Sequence, residues 1–262
     1  MDDTKHTVAD AIRPPLQHPS AAAMAWYGNA AKMRIVERLA ATDGPLTVFD
    51  FGAGRGAGWA ETLKLCPNIT LVCYEPHGPS VAALRQAVPA ATIHDGDPSA
   101  ITQPVDVIVS FSVFEHVWDR KSYLAHAARL LKPEGRFFLN YDDGHFREPG
   151  SLLAAARNAV APVLPRVGLT GQFQATVRKP DADRMIAAAG LVAEGDRYEN
   201  LESMKALAKT IPADRRADFA AMWLDLEDRL NADFTAQAAA FNGDTTNLWR
   251  EMASRTLELR RA

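Results

Sequence analysis

Residues 48–58 read Val48-Phe49-Asp50-Phe51-Gly52-Ala53-Gly54-Arg55-Gly56-Ala57-Gly58, an apolar run that meets one acid and then places glycine at every second position. Glycine has no Cβ, so it adopts positive φ freely and lets another molecule reach the backbone. The residues leading in, Leu46 to Phe51, are short, β-branched and aromatic, as a buried strand is. A strand that runs into a glycine turn is the opening unit of a nucleotide-type site.

Working outward, the pattern repeats. A helix over about 57–65 leads to Pro67, and a second strand is predicted over 69–75. A helix near 79–88, a short strand at 91–94, a strand at 105–110, a helix at 119–132 and a strand at 136–141 follow. Strand and helix in strict alternation predict a mostly parallel sheet covered on both faces. In the helix before Lys132-Pro133-Glu134-Gly135, the residues Tyr123, Leu124, Ala127, Leu130 and Leu131 recur at helical spacing and form one core face. Beyond Tyr141, helices are predicted over 150–162, 181–189, 200–210 and 213–241, with a strand at 191–198. The tail over 245–259 reads as a last, seventh strand or as a helix, and the alternation of Leu257-Glu258-Leu259 favours the strand. Upstream, Ser20 caps a helix that runs to Ala41 and stops at Thr42-Asp43-Gly44-Pro45. The expected division is a mobile arm over 1–19, a cap helix within 20–44, and a domain over 45–262. Within that domain, 45–141 is the cofactor core and 142–262 the substrate-side helical cover.

The chain has 262 residues, 47% of them hydrophobic, enough for a full core. Its net charge of −3 leaves no electrostatic footprint for nucleic acid or an anionic membrane surface, and directs attention to small-molecule partners. Cys66 and Cys73 read as buried thiols, not a disulfide or metal pair. The first twenty residues lack an apolar segment of signal-peptide length, and no stretch of about 18 apolar residues occurs, so the expected location is cytoplasmic. The stripe Phe219, Met222, Trp223, Leu226 and Leu230 would bury within the chain or across a homodimer.

Two ligand classes use a glycine turn after a first strand. A dinucleotide needs backbone N–H groups at its pyrophosphate, where the carboxylate of Asp50 would repel it. A ligand that carries an ammonium and a sulfonium gains from that acid. Here the sequence resembles the class I, Rossmann-like S-adenosylmethionine-dependent methyltransferases, small-molecule branch. Asp50 to Gly56 resembles the family's first motif, Val72-Cys73-Tyr74-Glu75 its second-strand acid, and Gly96-Asp97 its adenine-side acid. Asp106 to Val117 is similar to its fourth-strand motif. Leu130 to Gly135 resembles its turn into the fifth strand, with Glu134 where glycine is commoner. The resemblance spans 45–141 and returns loosely over 183–199.

The resemblance implies S-adenosyl-L-methionine as cofactor, held by Asp50, Gly52, Ala53, Gly54, Gly56, Glu75, Pro76, Asp97, Ser110 and Phe111. Tyr27 and Trp26, on the helix that would close over the cofactor, read either as lid residues that contact it or as core aromatics. Methyl transfer is an in-line displacement that needs alignment and a dry site. A hydroxyl acceptor would also use a general base, most often histidine. His116, after the fourth strand, and His145, after the fifth, are the candidates, each with a bland alternative in structure or solvent. Asp142, Asp143 and His145 make a poor metal set without a further carboxylate, so no metal is expected. The leading reading is methyl transfer to a small-molecule hydroxyl. A same-fold enzyme that moves another group of the cofactor, and a non-catalytic binding or interaction protein, stand as alternatives.

Overall fold

The computed structural model describes residues 16–142, 175, 177–240 and 252–262. The predicted helix over 150–162, His145 and most of the predicted arm lie outside them.

Seven strands form one sheet: β1 (Leu46–Phe51), β2 (Ile69–Tyr74), β3 (Thr92–His94), β4 (Val105–Phe111), β5 (Leu131–Tyr141), β6 (Leu191–Leu201) and β7 (Met252–Arg261). Their order is β3-β2-β1-β4-β5-β7-β6. The first five run parallel, and β7 inserts antiparallel to both β5 and β6. The sheet is therefore mostly parallel, as expected. Its helices are α1 (Ala21–Met24), α2 (Ala30–Ala40), α3 (Ala57–Leu65), α4 (Gly78–Ala87), α5 (Arg120–Leu130), α6 (Lys179–Ala188), α7 (Glu202–Ala208) and α8 (Arg216–Ala240).

Period-2 alternation divides each central strand between two cores. Phe49, Phe51, Ile108, Phe137 and Leu139 meet Tyr123, Leu124, Ala127 and Leu130 of α5 on one face. Val48, Leu71, Cys73, Val107 and Val109 meet Ile35, Val36 and Leu39 of α2, Trp59 of α3 and Leu84 of α4 on the other. Each large side chain fully buried in this way contributes about 1.5–3 kcal/mol. Cys66 and Cys73 are free and buried.

The single cap helix expected over Ser20–Ala41 is instead two helices. Ser20 caps α1 by accepting the Ala23 N–H. The chain then turns at Gly28 (φ +94°), and the Asn29 side chain accepts the Lys32 N–H to start α2. An N-cap residue has non-helical φ/ψ, so a strong cap within a helical pattern breaks it. α1 and α2 pack through Ala23, Ala30 and Met33 against Met204, Phe219 and Trp223 of α7 and α8. On α8, whose first turn is preceded by a 3₁₀ turn at Ala213–Arg215, Phe219 and Trp223 are buried while Met222 is exposed. The Lys132–Gly135 turn falls inside β5, where pairing with β4 shifts register between Val105 and Val107.

Candidate active site

Register places Asp50 opposite Cys73 of β2 and Val109 of β4, so the carboxyl ends of the central strands converge at the glycine turn. In open parallel sheets ligands bind outside those ends. The structure has a cleft of about 1440 Å³ there. Pockets for a single drug-sized ligand run to roughly 300–1,000 Å³, so the cleft has room for two reactants.

The turn is shaped by three left-handed glycines: Gly52 (φ +106°), Gly54 (+59°) and Gly56 (+70°). A Cβ on Gly52 would lie 2.4 Å from Val113 Cγ2, and one on Gly56 would lie 2.4 Å from Leu84 Cδ1. At Gly54 nothing stands within 4 Å, so its surface is the part of the turn left open to a ligand. Gly58 has ordinary φ and is small for another reason: the Trp26 ring packs 2.5 Å from where its Cβ would be.

Asp50 is buried. Trp59 Nε1 donates to its Oδ2 at 2.5 Å, and its Oδ1 has no hydrogen-bond partner. Burial raises its carboxyl to about 6, against the downward pull of the Trp59 bond and of Lys32. Lys32 reaches the same cleft from α2, its ammonium 5.3 Å from the Trp26 ring and 5.2 Å from Phe111. Burial lowers its pKa, and Asp50 opposes that shift. Across the turn, Glu75 accepts the Gly54 N–H at 2.8 Å and the His77 N–H at 2.9 Å, which fixes the carboxylate at the end of β2. Asp97 accepts the Ser99 N–H, and hydrogen bonding from Ser99 holds its carboxyl below the usual range.

Asp50, Gly52, Ala53, Gly54, Gly56, Glu75, Pro76, Asp97, Phe111 and His116 all line this one cleft. Two expected residues do not. Ser110 is fully buried and accepts the Tyr123 hydroxyl at 2.7 Å, because its place in β4 points it into the α5 core. Tyr27 turns away with the α1–α2 break, and its hydroxyl donates to the Ala208 carbonyl at 3.0 Å. His116 sits in a 3₁₀ turn (Phe114–His116) next to buried Glu115, whose carboxyl burial pushes up. His145 and Asp143 lie outside the described residues. Sequence reasoning missed Lys32, Trp59 and His126. Lys32 and Trp59 lie on helices whose facing direction local pattern does not give. His126 packs its ring 5.7 Å from Phe51 and has a buried Nε2 without a hydrogen bond.

A methyltransferase-domain family model matches residues 24–176, more than half of the chain. A protein of Mycolicibacterium smegmatis named as a probable S-adenosylmethionine-dependent methyltransferase is 28% identical over 120 residues, covering 45% of this chain and 44% of that one. The chain thus spans under half the length of the curated relatives it matches. The fold matches a cyclopropane synthase of Mycobacterium tuberculosis, MmaA2, with TM-score 0.56 at 14% identity, covering 92% of this chain and 94% of the other. It also matches an S-adenosylmethionine-dependent methyltransferase of Mesorhizobium loti, with TM-score 0.53 at 16% identity over 88% and 98% of the two chains. Strand order, the acid before the glycine turn, the acid closing β2 and the family match agree, and the chain belongs to the S-adenosylmethionine-dependent methyltransferase-domain family.

Proposed function

We propose that the protein transfers a methyl group from S-adenosyl-L-methionine to a hydroxyl oxygen of a small-molecule acceptor. The observation that carries the reading is Asp50: a buried carboxyl with one unpartnered oxygen, on the strand that leads into the glycine turn where Gly54 stays open. A buried polar atom without a partner is costly and calls for a ligand group to satisfy it. A cationic ligand suits that oxygen, whereas a pyrophosphate would meet repulsion.

When bound, S-adenosylmethionine supplies an electrophilic methyl on a sulfonium. The chain's own residues bind and orient. Asp50 faces the cationic part, Gly54 admits close approach of the ligand to the backbone, and Glu75 offers a prepositioned acceptor for ribose hydroxyls. Asp97 stands on the adenine side. Trp26 and Phe111, 5.5 Å apart, wall the cleft and exclude water, which strengthens the electrostatics inside it. His116, one of the histidines that line the cleft, is the first candidate to take the hydroxyl proton from the acceptor, and His145 is the second.

Calorimetric titration with S-adenosylmethionine, S-adenosylhomocysteine and NADH tests the cofactor. Binding of the first two without the third supports the reading, and NADH binding alone would sink it. Release of S-adenosylhomocysteine, followed over a panel of hydroxyl, amine and carbon acceptors, tests the hydroxyl assignment. His116→Ala should lower turnover on a hydroxyl acceptor by about 10²–10⁴-fold and leave S-adenosylhomocysteine affinity within twofold.

A further inference from the structure

On the far side of the α1–α2 turn from the cleft lies a second concavity of about 490 Å³, walled by Tyr27, Gly28, Glu202, Lys205, Lys209 and Arg216. Three cations and one carboxylate face it in a chain whose net charge is −3. Among the described residues Lys205, Lys209 and Arg216 make no ion pair, whereas Arg34, Arg38, Arg136, Arg197 and Arg255 each sit on an acid.

The walls are held in place. The Arg216 guanidinium stands 5.3 Å over the Tyr27 ring and its Nε donates to the Ile211 carbonyl at 3.4 Å. The Tyr27 hydroxyl is tied to Ala208 at the end of α7. Gly28, left-handed and with nothing within 4 Å of a Cβ position, has an N–H with no hydrogen bond among the described residues. Backbone N–H groups beside a left-handed residue, backed by cations, form an anion-binding concavity. Three cations converging on a concave surface focus the field there. The lysines are mobile point charges, which suit a phosphoryl group presenting several oxygens.

Groove and cleft share one wall. Trp26 faces the cleft and Tyr27 the groove.

We propose that this groove binds a phosphoryl group of a soluble phosphorylated small molecule, at a site separate from the cofactor cleft. The anion site goes beyond the methyltransferase reading above, and the two are tested separately on the same samples. Inorganic pyrophosphate is titrated by calorimetry into the wild-type protein, free and saturated with S-adenosylhomocysteine, and into Lys205→Glu/Lys209→Glu and Lys205→Gln/Lys209→Gln. The expected result is saturable binding that S-adenosylhomocysteine leaves unchanged and that weakens with added salt. The Glu pair should weaken it at least tenfold and the Gln pair less, with S-adenosylhomocysteine affinity within twofold of wild type in both. That last value shows that the variants fold. No pyrophosphate binding by wild type, equal binding by the Glu pair, or displacement by S-adenosylhomocysteine would overturn the proposal. A wild type that binds pyrophosphate but not S-adenosylhomocysteine would instead overturn the cofactor reading and keep the groove. Co-sedimentation with phosphatidylglycerol vesicles separates the sources: a soluble phosphorylated ligand predicts no capture, and capture that the Glu pair abolishes would transfer the site to a lipid headgroup and overturn the small-molecule form.

Discussion

Between about pH 4 and 6, buried Asp50 holds a proton that an exposed aspartate would have lost. Trp59, Lys32 and Glu75 all face it, and burial outweighs the two that favour its charge. Its folded pKa, about 6, lies above the ordinary 3.8, so between those values the folded state binds more protons than the unfolded one. Stability contributed by this group is present at low pH and falls as pH rises through that window, by up to about 3 kcal/mol. Asp50→Asn should flatten this part of the pH–stability curve, read from urea midpoints between pH 4 and 7. The same titration governs the ligand. A cationic cofactor prefers the ionised carboxylate, so its affinity should fall below pH 6 by up to about tenfold per unit, while Asp50→Asn binds weakly at every pH. A pH-independent wild-type affinity from pH 5 to 7.5 would contradict this role. Trp59→Phe removes the indole donor from a buried oxygen and should cost about 1–3 kcal/mol of stability.

The glycine turn separates folding from binding within one element. Gly54→Ala meets open space, so the expected cost is the left-handed backbone alone, about 1–2 kcal/mol. Gly52→Ala adds a Cβ 2.4 Å from Val113 and should lower the melting temperature several degrees further. Both should cut S-adenosylmethionine affinity. A scanning-calorimetry comparison that ranks Gly54→Ala as the more destabilising would show that the turn is arranged differently. At this scale the sequence was highly legible: β1, β2, α3 and β4 lie where alternation and turn residues put them, because those signals are local. The break between α1 and α2 was not. Apolar spacing continues through Trp26-Tyr27-Gly28, and it is the Asn29 cap together with packing against α7 and α8 that divides the helix.

Across the molecule, the cap helices are fastened to the far edge of the sheet by a buried polar network. Asn200, left-handed at φ +67°, accepts the Ala30 N–H at 2.8 Å and donates to Ser254 of β7. Thr256 donates to buried Glu199, which Arg34 and Arg197 flank at 3.1 Å each. Glu227 of α8 accepts from Leu201 N and Trp223 Nε1, leaves Oε2 unpartnered, and is raised to about 7 by burial. Groups that face it include Glu199, which pushes its pKa up, and Arg34, which pulls it down. Its pKa is raised, so its contribution to stability is lost as pH climbs from about 4.5 to 7. Glu227→Gln, which keeps the acceptor oxygen, should therefore stabilise the protein by about 1–3 kcal/mol at pH 8 and little at pH 4.5, measured by urea unfolding. Equal shifts at both pH values would exclude a titrating Glu227. Asn200→Ala should loosen α2 and with it Lys32 and the cleft wall, seen as faster hydrogen exchange in 30–40.

The sequence by itself determined the order of strands and helices, the glycine turn, and the acids at the ends of β1 and β2. Each depends on residues within a few positions of one another: side-chain period, the left-handed freedom of glycine, and capping. Only the tertiary structure decided that Lys32 shares a cleft with Asp50, that Ser110 faces the core, and that Tyr27 belongs to a basic groove behind the cap. Those placements depend on how a helix is rotated on the sheet. That rotation is set by contacts between residues far apart in the chain, such as Ala30 with Asn200 and Tyr27 with Ala208, which no local pattern encodes.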